Sequence, residues 1–256
     1  MSTILRQSYI FGPVHSRRLG VSLGVNVLPI EQKLCNFNCI YCECGWNTHG
    51  HNKSTFPDRD IIKTQLIEVL STMDEPKKLD VITFSGNGEP TLHPDFAGII
   101  DDTIAVRNEY APNAKVSVLS NATNLLKPAV FAALQKVDNP ILKLDSAIIE
   151  TLNRINLPVH NISIADIISG MQQFNGNFIL QTMFLRGEHN GKSIDNTTET
   201  ELKALLACLE ATHPRQVMIY PIDRDTPADS LVKLSQSEMQ AIAATISEAG
   251  FNVLYV

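Results

Sequence analysis

The sequence predicts an α/β fold in which a parallel sheet carries helices on its outside, as a barrel or an open doubly wound sheet. Three observations carry that prediction. Short β-rich runs alternate with amphipathic stretches along nearly the whole chain, the pattern of successive strand–helix units. Several runs are near-continuous apolar, as strands covered on both faces must be. Six such units follow one another without a low-complexity segment or strong linker, in a chain of 256 residues that is long enough for one large core.

The strands are expected at Val21 to Leu28, Leu79 to Phe84, Lys115 to Ser120, Ile141 to Asp145, Phe178 to Leu185 and Gln216 to Ile222. Between them, apolar residues recur on single helical faces. These are Ile62, Leu66, Val69, Leu70 and Met73; Val130, Ala133, Leu134 and Val137; Ile164, Ile167, Ile168 and Met171; and Leu202, Leu205, Leu206 and Leu209. Thr198 with Glu201, and Ser235 with Glu238, fit capping boxes. A last helix from about Gln236 to Ala249 stops at Gly250, and a short strand is expected over Phe251 to Val256. The division read is one domain over 1–256, with an N-terminal extension (1–20), a core (21–231) and a C-terminal helix and strand (232–256).

The formal net charge of −6 gives no general attraction to nucleic acid, although a local basic patch is compatible with it. No apolar stretch approaches a membrane span, and Met1 to Tyr9 has no signal-peptide pattern, so no membrane association and a cytoplasmic protein are expected. Five cysteines is an odd count and three of them cluster, which favours metal binding in a reducing compartment over a disulfide framework.

The clustered cysteines are Cys35, Cys39 and Cys42, spaced Cys-x3-Cys-x2-Cys in a loop that follows the first strand. Ligand chemistry in such folds sits at the C-terminal ends of strands. Thiolates are soft ligands and suit zinc or iron–sulfur clusters. Zinc would recruit a fourth ligand, with His49 and His51 the nearest histidines. Three thiolates on a 4Fe–4S cluster leave one iron without a protein ligand, free to bind a reactant. Cys44 is either a fourth ligand or an extra loop thiol near the site; Cys208, beside Leu205 and Leu209, reads as a buried small apolar residue.

Further along, strand ends supply polar groups. Gly86-Asn87-Gly88-Glu89-Pro90 is either a plain turn or a place where a ligand approaches the backbone. Ser120 and Asn121 end the third strand and suit hydroxyl recognition or a helix cap. Lys143 and Asp145 alternate and so face one side, either the interior as candidate catalytic groups or solvent as an ion pair, and Asp145 also suits a helix cap. Gln181, Arg224 and the pair Arg17 and Arg18 are candidates for holding substrate; for the arginines the alternative is ordinary surface charge, with Asp223 or Asp225 as partner of Arg224.

With its cysteine spacing and an aromatic residue, Tyr41, just before the last cysteine, the chain resembles the radical S-adenosylmethionine superfamily. The resemblance implies a partial (β/α)6 TIM-like barrel, a 4Fe–4S cluster on Cys35, Cys39 and Cys42, and S-adenosylmethionine chelated at the free iron. It also implies cofactor contacts: the Tyr41 backbone facing the adenine, Gly86, Gly88 and Glu89 at the methionine amino group, and Ser120 and Asn121 at the ribose. Asn87 separates the two glycines, making that motif a variant. The activity implied is reductive cleavage of S-adenosylmethionine to a 5′-deoxyadenosyl radical that abstracts hydrogen from a small-molecule or nucleobase-type substrate.

The run from His15 into the cysteine loop, Gly88-Glu89-Pro90-Thr91-Leu92-His93-Pro94 and the Asp223-Arg224 ending resemble the branch related to the tRNA wybutosine-synthesising enzyme and uncharacterised Fe–S oxidoreductases. No flavodoxin-like domain is evident, so the resemblance implies an external one-electron donor such as flavodoxin or ferredoxin. The lack of a strongly basic surface argues against, without excluding, a tRNA substrate. A tRNA-modifying or glycyl-radical-activating enzyme, and a non-catalytic Fe–S electron carrier or zinc protein, remain the alternatives.

Overall fold

The computed structural model describes residues 4–47, 55–75 and 78–255. Its strands are β1 (Ile10–Ser16), β2 (Gly20–Val25), β3 (Val81–Phe84), β4 (Lys115–Ser120), β5 (Asn139–Lys143), β6 (Ile179–Phe184), β7 (Arg186–His189), β8 (Lys192–Asp195), β9 (Gln216–Pro221), β10 (Leu231–Val232) and β11 (Val253–Tyr255). The helices are α1 (Arg59–Thr72), α2 (Phe96–Tyr110), α3 (Pro128–Lys136), α4 (Ile149–Asn156), α5 (Ile164–Gln172), α6 (Glu199–Thr212) and α7 (Gln236–Glu248).

Eight strands form one sheet in the order β1-β2-β3-β4-β5-β6-β9-β11, parallel throughout except for the β1–β2 pair. The sheet curls into a half-barrel. All six expected strands are present, each followed by at least one helix before the next parallel strand. Side chains on each strand alternate between an outer face covered by helices and an inner face lining the lumen. Outward go Leu23, Ile82, Val118, Leu142, Leu180 and Val217, all in the main core with Leu66, Leu134 and Leu209 from the helices. Inward go Leu119, Ile141, Ile179 and Met218, in a separate small cluster with Leu19.

Four features differ from the sequence reading. Residues 10–16, assigned to an extension, form an edge strand antiparallel to β2. A small second sheet, β10-β7-β8, is inserted around β9, turning at Asn190 and Gly191, both at positive φ. Helix α2 was not expected. Glu201 completes only half of its capping box: Thr198 accepts from the Glu201 N–H, but the Glu201 carboxylate accepts from Ser146 Oγ at 2.6 Å instead of returning to the cap. Ser235 and Glu238 form the full box.

The β1–β2 turn reaches over to β9. Arg17 pairs with Asp223 at 2.8 Å, Arg18 lies over the Tyr220 ring at 4.6 Å, and Leu19 joins the inner cluster. Ser16 Oγ holds the turn by accepting from the N–H groups of Arg18 and Leu19.

Candidate functional site

The cysteine loop is fastened at both ends to other strand ends. Leu34 N–H donates to Asn87 O at 2.8 Å and Glu89 N–H donates to Leu34 O at 3.1 Å. This bridge requires glycine at 88: φ is +139°, and a Cβ would lie 1.9 Å from the Leu34 carbonyl oxygen. Gly86 is pressed just as closely by Asn26, whose Oδ1 a Cβ would approach to 2.2 Å. The glycines therefore admit neighbouring protein groups, in addition to lining the cavity. Asn87, the residue inserted between them, is fully buried; its side chain donates to Pro29 O and Arg6 O and accepts from Arg6 N–H. On the far side of the loop, Asn38 and Ile40 N–H groups donate to carbonyls at the end of α4.

A cavity of about 150 Å³ opens over this loop. Cys35, Cys39 and Cys42 line it together with Tyr41, Gly86, Gly88, Glu89, Ser120, Asn121, Lys143 and Gln181, and Lys33 and Cys44 join them; Asp145, the other catalytic candidate, is buried behind the lining. Arg17, Arg18 and Arg224 are not in this cavity but line an adjoining one of about 560 Å³, which shares Cys44, Gly86 and Leu119 with the first. His49 and His51 lie outside the described residues. Among the described residues, no three of His, Cys, Asp and Glu converge as ligands of a single ion.

Glu89 is buried and tied to three residues. One oxygen accepts from Thr91 N–H, Thr91 Oγ1 and Ser120 Oγ, and the other from Asn121 N–H at 2.7 Å. Burial pushes its pKa up, against the pull of those hydrogen bonds. Ser120 and Asn121 thus face Glu89 and the cysteine loop; Asn121 Nδ2 donates to Asn36 Oδ1 at 2.6 Å.

Beneath Cys39 lies a buried polar network. Lys143 Nζ donates to Cys39 Sγ at 3.3 Å and to Tyr41 OH at 2.6 Å, and pairs with Asp145 at 3.1 Å. Tyr41 OH donates to Asp145, Asn156 Nδ2 reaches Asp145 at 2.6 Å and Cys39 Sγ at 3.3 Å, and Asp145 also accepts from Met183 N–H. Asn156 Oδ1 is buried with no partner among the described residues, so the side chain is held in place by its two N–H contacts. Burial alone would lower the Lys143 pKa, but the charges of Asp145 and Cys39 raise it well above the usual value, so it is an ammonium. Burial and Asp145 raise Tyr41, which is a neutral phenol. Lys143 and Asp145 both lie on the interior side, but as an ion pair of which only Lys143 lines the cavity. Asp145 does not cap α4, whose cap residue is Ile148. Arg224 pairs with Glu43 of the cysteine loop at 2.6 Å rather than with Asp223 or Asp225.

Cys35 and Cys42 sit in different fields. Burial pushes Cys35 up to about 12, with Cys39 and Glu89 adding to it. A hydrogen bond from the Cys44 thiol, aided by Lys33 and Lys143, holds Cys42 down at about 5 against burial, while Cys44 is raised and keeps its proton. Metal binding takes the deprotonated form at each position. The donor set suits a thiolate-held cluster: three soft ligands, N–H donors on the sulfur of Cys39, a backbone N–H on that of Cys35 at 3.4 Å, and a cavity open above them. Sequence reasoning missed Asn156 and Lys33, and read Asn87 as a variation of the glycine motif without its bonds to Arg6 and Pro29. Asn156 lies eleven positions after Asp145 on a separate helix and bears no local signature.

A half-barrel that gathers Cys-x3-Cys-x2-Cys thiols at its strand ends defines a class of cluster-dependent enzymes. The chain belongs to the radical SAM superfamily, whose sequence profile matches residues 32–199. The superfamily's cofactors are a 4Fe–4S cluster and S-adenosylmethionine. Among curated relatives, a UPF0026 protein of Synechocystis is 34% identical over 79% of this chain and 72% of its own length. A Brachyspira hyodysenteriae protein named GTPase Obg is 28% identical over 92% of this chain, which spans only 33% of that protein. Among solved structures, a radical SAM methyltransferase from Sphaerobacter thermophilus superposes with a TM-score of 0.66 over 92% of this chain and 65% of its own, at 13% identity, a likeness of fold. Among the described residues, no helix is long and apolar enough to cross a membrane.

Proposed function

We propose that the protein is an enzyme that reductively cleaves S-adenosylmethionine, with Cys35, Cys39 and Cys42 holding the cluster. The observation that carries this reading is the convergence of three thiols, the glycine turn and the Ser120–Asn121 strand end on one cavity from three separate stretches of chain, with Lys143 and Gln181 from two more. When bound, the cofactors supply one-electron cleavage of a sulfonium to a carbon radical that takes hydrogen from substrate.

The chain's own residues do the positioning. Lys143 and Asn156 donate to the sulfur of Cys39, which fixes its orientation and lowers the negative charge it carries. Asp145, itself fully buried, keeps the Lys143 charge compensated at the floor of the cavity. The Leu34–Gly88 bridge sets the distance between the cysteine loop and the Ser120–Asn121 strand end through Glu89. Gly86, Gly88 and Glu89, which line the cavity, serve the methionine end of the cofactor, the Tyr41 backbone the adenine end, and Ser120 and Asn121 the ribose. The substrate is a small molecule or nucleobase-type compound, and the electron comes from an external donor such as flavodoxin or ferredoxin. Localisation is read as cytoplasmic.

Anaerobically reconstituted protein, reduced with dithionite, should convert S-adenosylmethionine to 5′-deoxyadenosine, and Cys39→Ala should not. Unchanged S-adenosylmethionine in the wild-type reaction contradicts the reading.

A further inference from the structure

We propose that the adjoining 560 Å³ cavity is the seat of a small-molecule substrate bearing a phosphate or carboxylate group, held by Arg6 and Arg18. This rests on the reading of the cysteine cavity as the site of S-adenosylmethionine cleavage. The two cavities share the Cys44, Gly86 and Leu119 walls, so a molecule in the larger one abuts the contents of the smaller.

The charge balance of this cavity is opposite to that of the chain. The chain carries −6, yet the cavity gathers Arg6, His15, Arg17, Arg18 and Arg224 against the single carboxylate of Glu43. Two of these arginines are spoken for: Arg17 by Asp223 and Arg224 by Glu43. Arg6 and Arg18 have no carboxylate partner among the described residues. Each lies over an aromatic face instead, Arg6 over Phe11 at 4.4 Å and Arg18 over Tyr220 at 4.6 Å. A ring contact fixes the plane of a guanidinium while leaving its N–H edge free, and that edge is the part that matches a carboxylate or phosphate in two parallel bonds. Besides its ring, the one hydrogen-bond partner of the Arg18 guanidinium among the described residues is Met218 Sδ, at 4.0 Å, a weak acceptor.

Both arginines are also fixed through their backbones. Buried Asn87 bonds the N–H and the carbonyl of Arg6, at 2.7 and 3.0 Å. The turn bearing Arg18 is held by Ser16 and by the Arg17–Asp223 bridge. The residue that interrupts the glycine motif thus anchors one of the two arginines. Groups held in this way lose little freedom when an anion arrives, so their interaction with it is retained as affinity.

The test is calorimetric titration of inorganic phosphate, and separately malonate, into the reconstituted full-length protein loaded with S-adenosylmethionine. At least one anion should bind the wild type, and Arg6→Gln and Arg18→Gln should each weaken it by about tenfold or more. Arg18→Lys, which keeps the charge but loses the planar edge, should fall between. Lys203→Gln, an exposed charge on α6, should bind as the wild type does. Thermal melting of each variant checks that it is folded. Failure of both anions to bind, or equal binding by wild type and the glutamine variants, overturns the proposal. So does displacement of S-adenosylmethionine by the anion, which would give the arginines to the cofactor. Tighter, arginine-dependent binding of an oligonucleotide of about twelve residues would make this a nucleic-acid site and also overturn it. If anion binding follows the arginines but no 5′-deoxyadenosine forms, the anion site stands and the radical reading fails; the reverse pattern sinks the anion site alone.

Discussion

At the residue scale, the network under Cys39 buries an ion pair, which is costly unless its hydrogen bonds are complete. Side-chain exposure is 15% for Lys143 and 0% for Asp145, and the pair is stable only because Tyr41, Asn156 and Met183 N–H complete the carboxylate's shell. Removing one partner leaves a buried charge uncompensated, which costs more than the pair itself contributes. Lys143→Met should therefore destabilise the protein by about 3–5 kcal/mol, read from urea denaturation. A loss below about 1 kcal/mol would mean that water reaches Asp145. The facing of these two residues was legible only in part. Alternation put both on one side of β5, but which side depended on how the sheet curls, and that is fixed by helices far away in sequence. Asn156 could not be read at all, because its role exists only once the end of α4 is brought against the cysteine loop.

At the element scale, the parallel strands were legible because burial on both faces leaves runs such as Val81–Phe84 and Ile179–Phe184 almost wholly buried. Strand β1 was not, since only Ile10 of its seven residues is buried and a Gly-Pro pair interrupts it. Two signals were present and passed over: Phe96, Ile99, Ile100, Thr103 and Val106 at helical spacing in α2, and Asn190-Gly191 as a hairpin turn. The junction between β3 and the cysteine loop gives a sharp test. Gly88→Ala places a methyl group against a backbone carbonyl at positive φ and should cost about 3 kcal/mol or more. Because the bridge positions Leu34, iron content after reconstitution should fall as well; a variant with wild-type stability and iron would show that the two loops are not coupled.

The cap of α7 offers a pH test on the same scale. Hydrogen bonds from Ser235, side chain and backbone, and from Arg186 hold Glu238 down at about 2. In an unfolded chain a glutamate titrates near about 4.3, so the folded pKa is the lower one. The contribution of the cap is full above the unfolded value and lost as the pH falls through about 2. NMR titration should place the Glu238 midpoint near about 2, with faster amide exchange in the first turn of α7 below it; a midpoint near the ordinary glutamate value would mean the box is open in solution.

At the scale of the whole molecule, the half-barrel leaves one lumen with two neighbouring compartments, one lined by the cysteines and one by arginines. The first was legible because its residues fall at successive strand ends, where position along the chain predicts position in space. The second was legible as a set of candidates but not as a place, because the β1–β2 turn crosses to β9 and brings residues 17 and 18 beside residue 220. The account depends above all on a cluster with one corner left open for S-adenosylmethionine. Electron paramagnetic resonance of the reduced, reconstituted protein tests this most directly. The account predicts a 4Fe–4S signal that changes when S-adenosylmethionine is added and disappears in Cys35→Ala, Cys39→Ala and Cys42→Ala. A signal indifferent to S-adenosylmethionine, or one that survives the loss of any of the three cysteines, would contradict it.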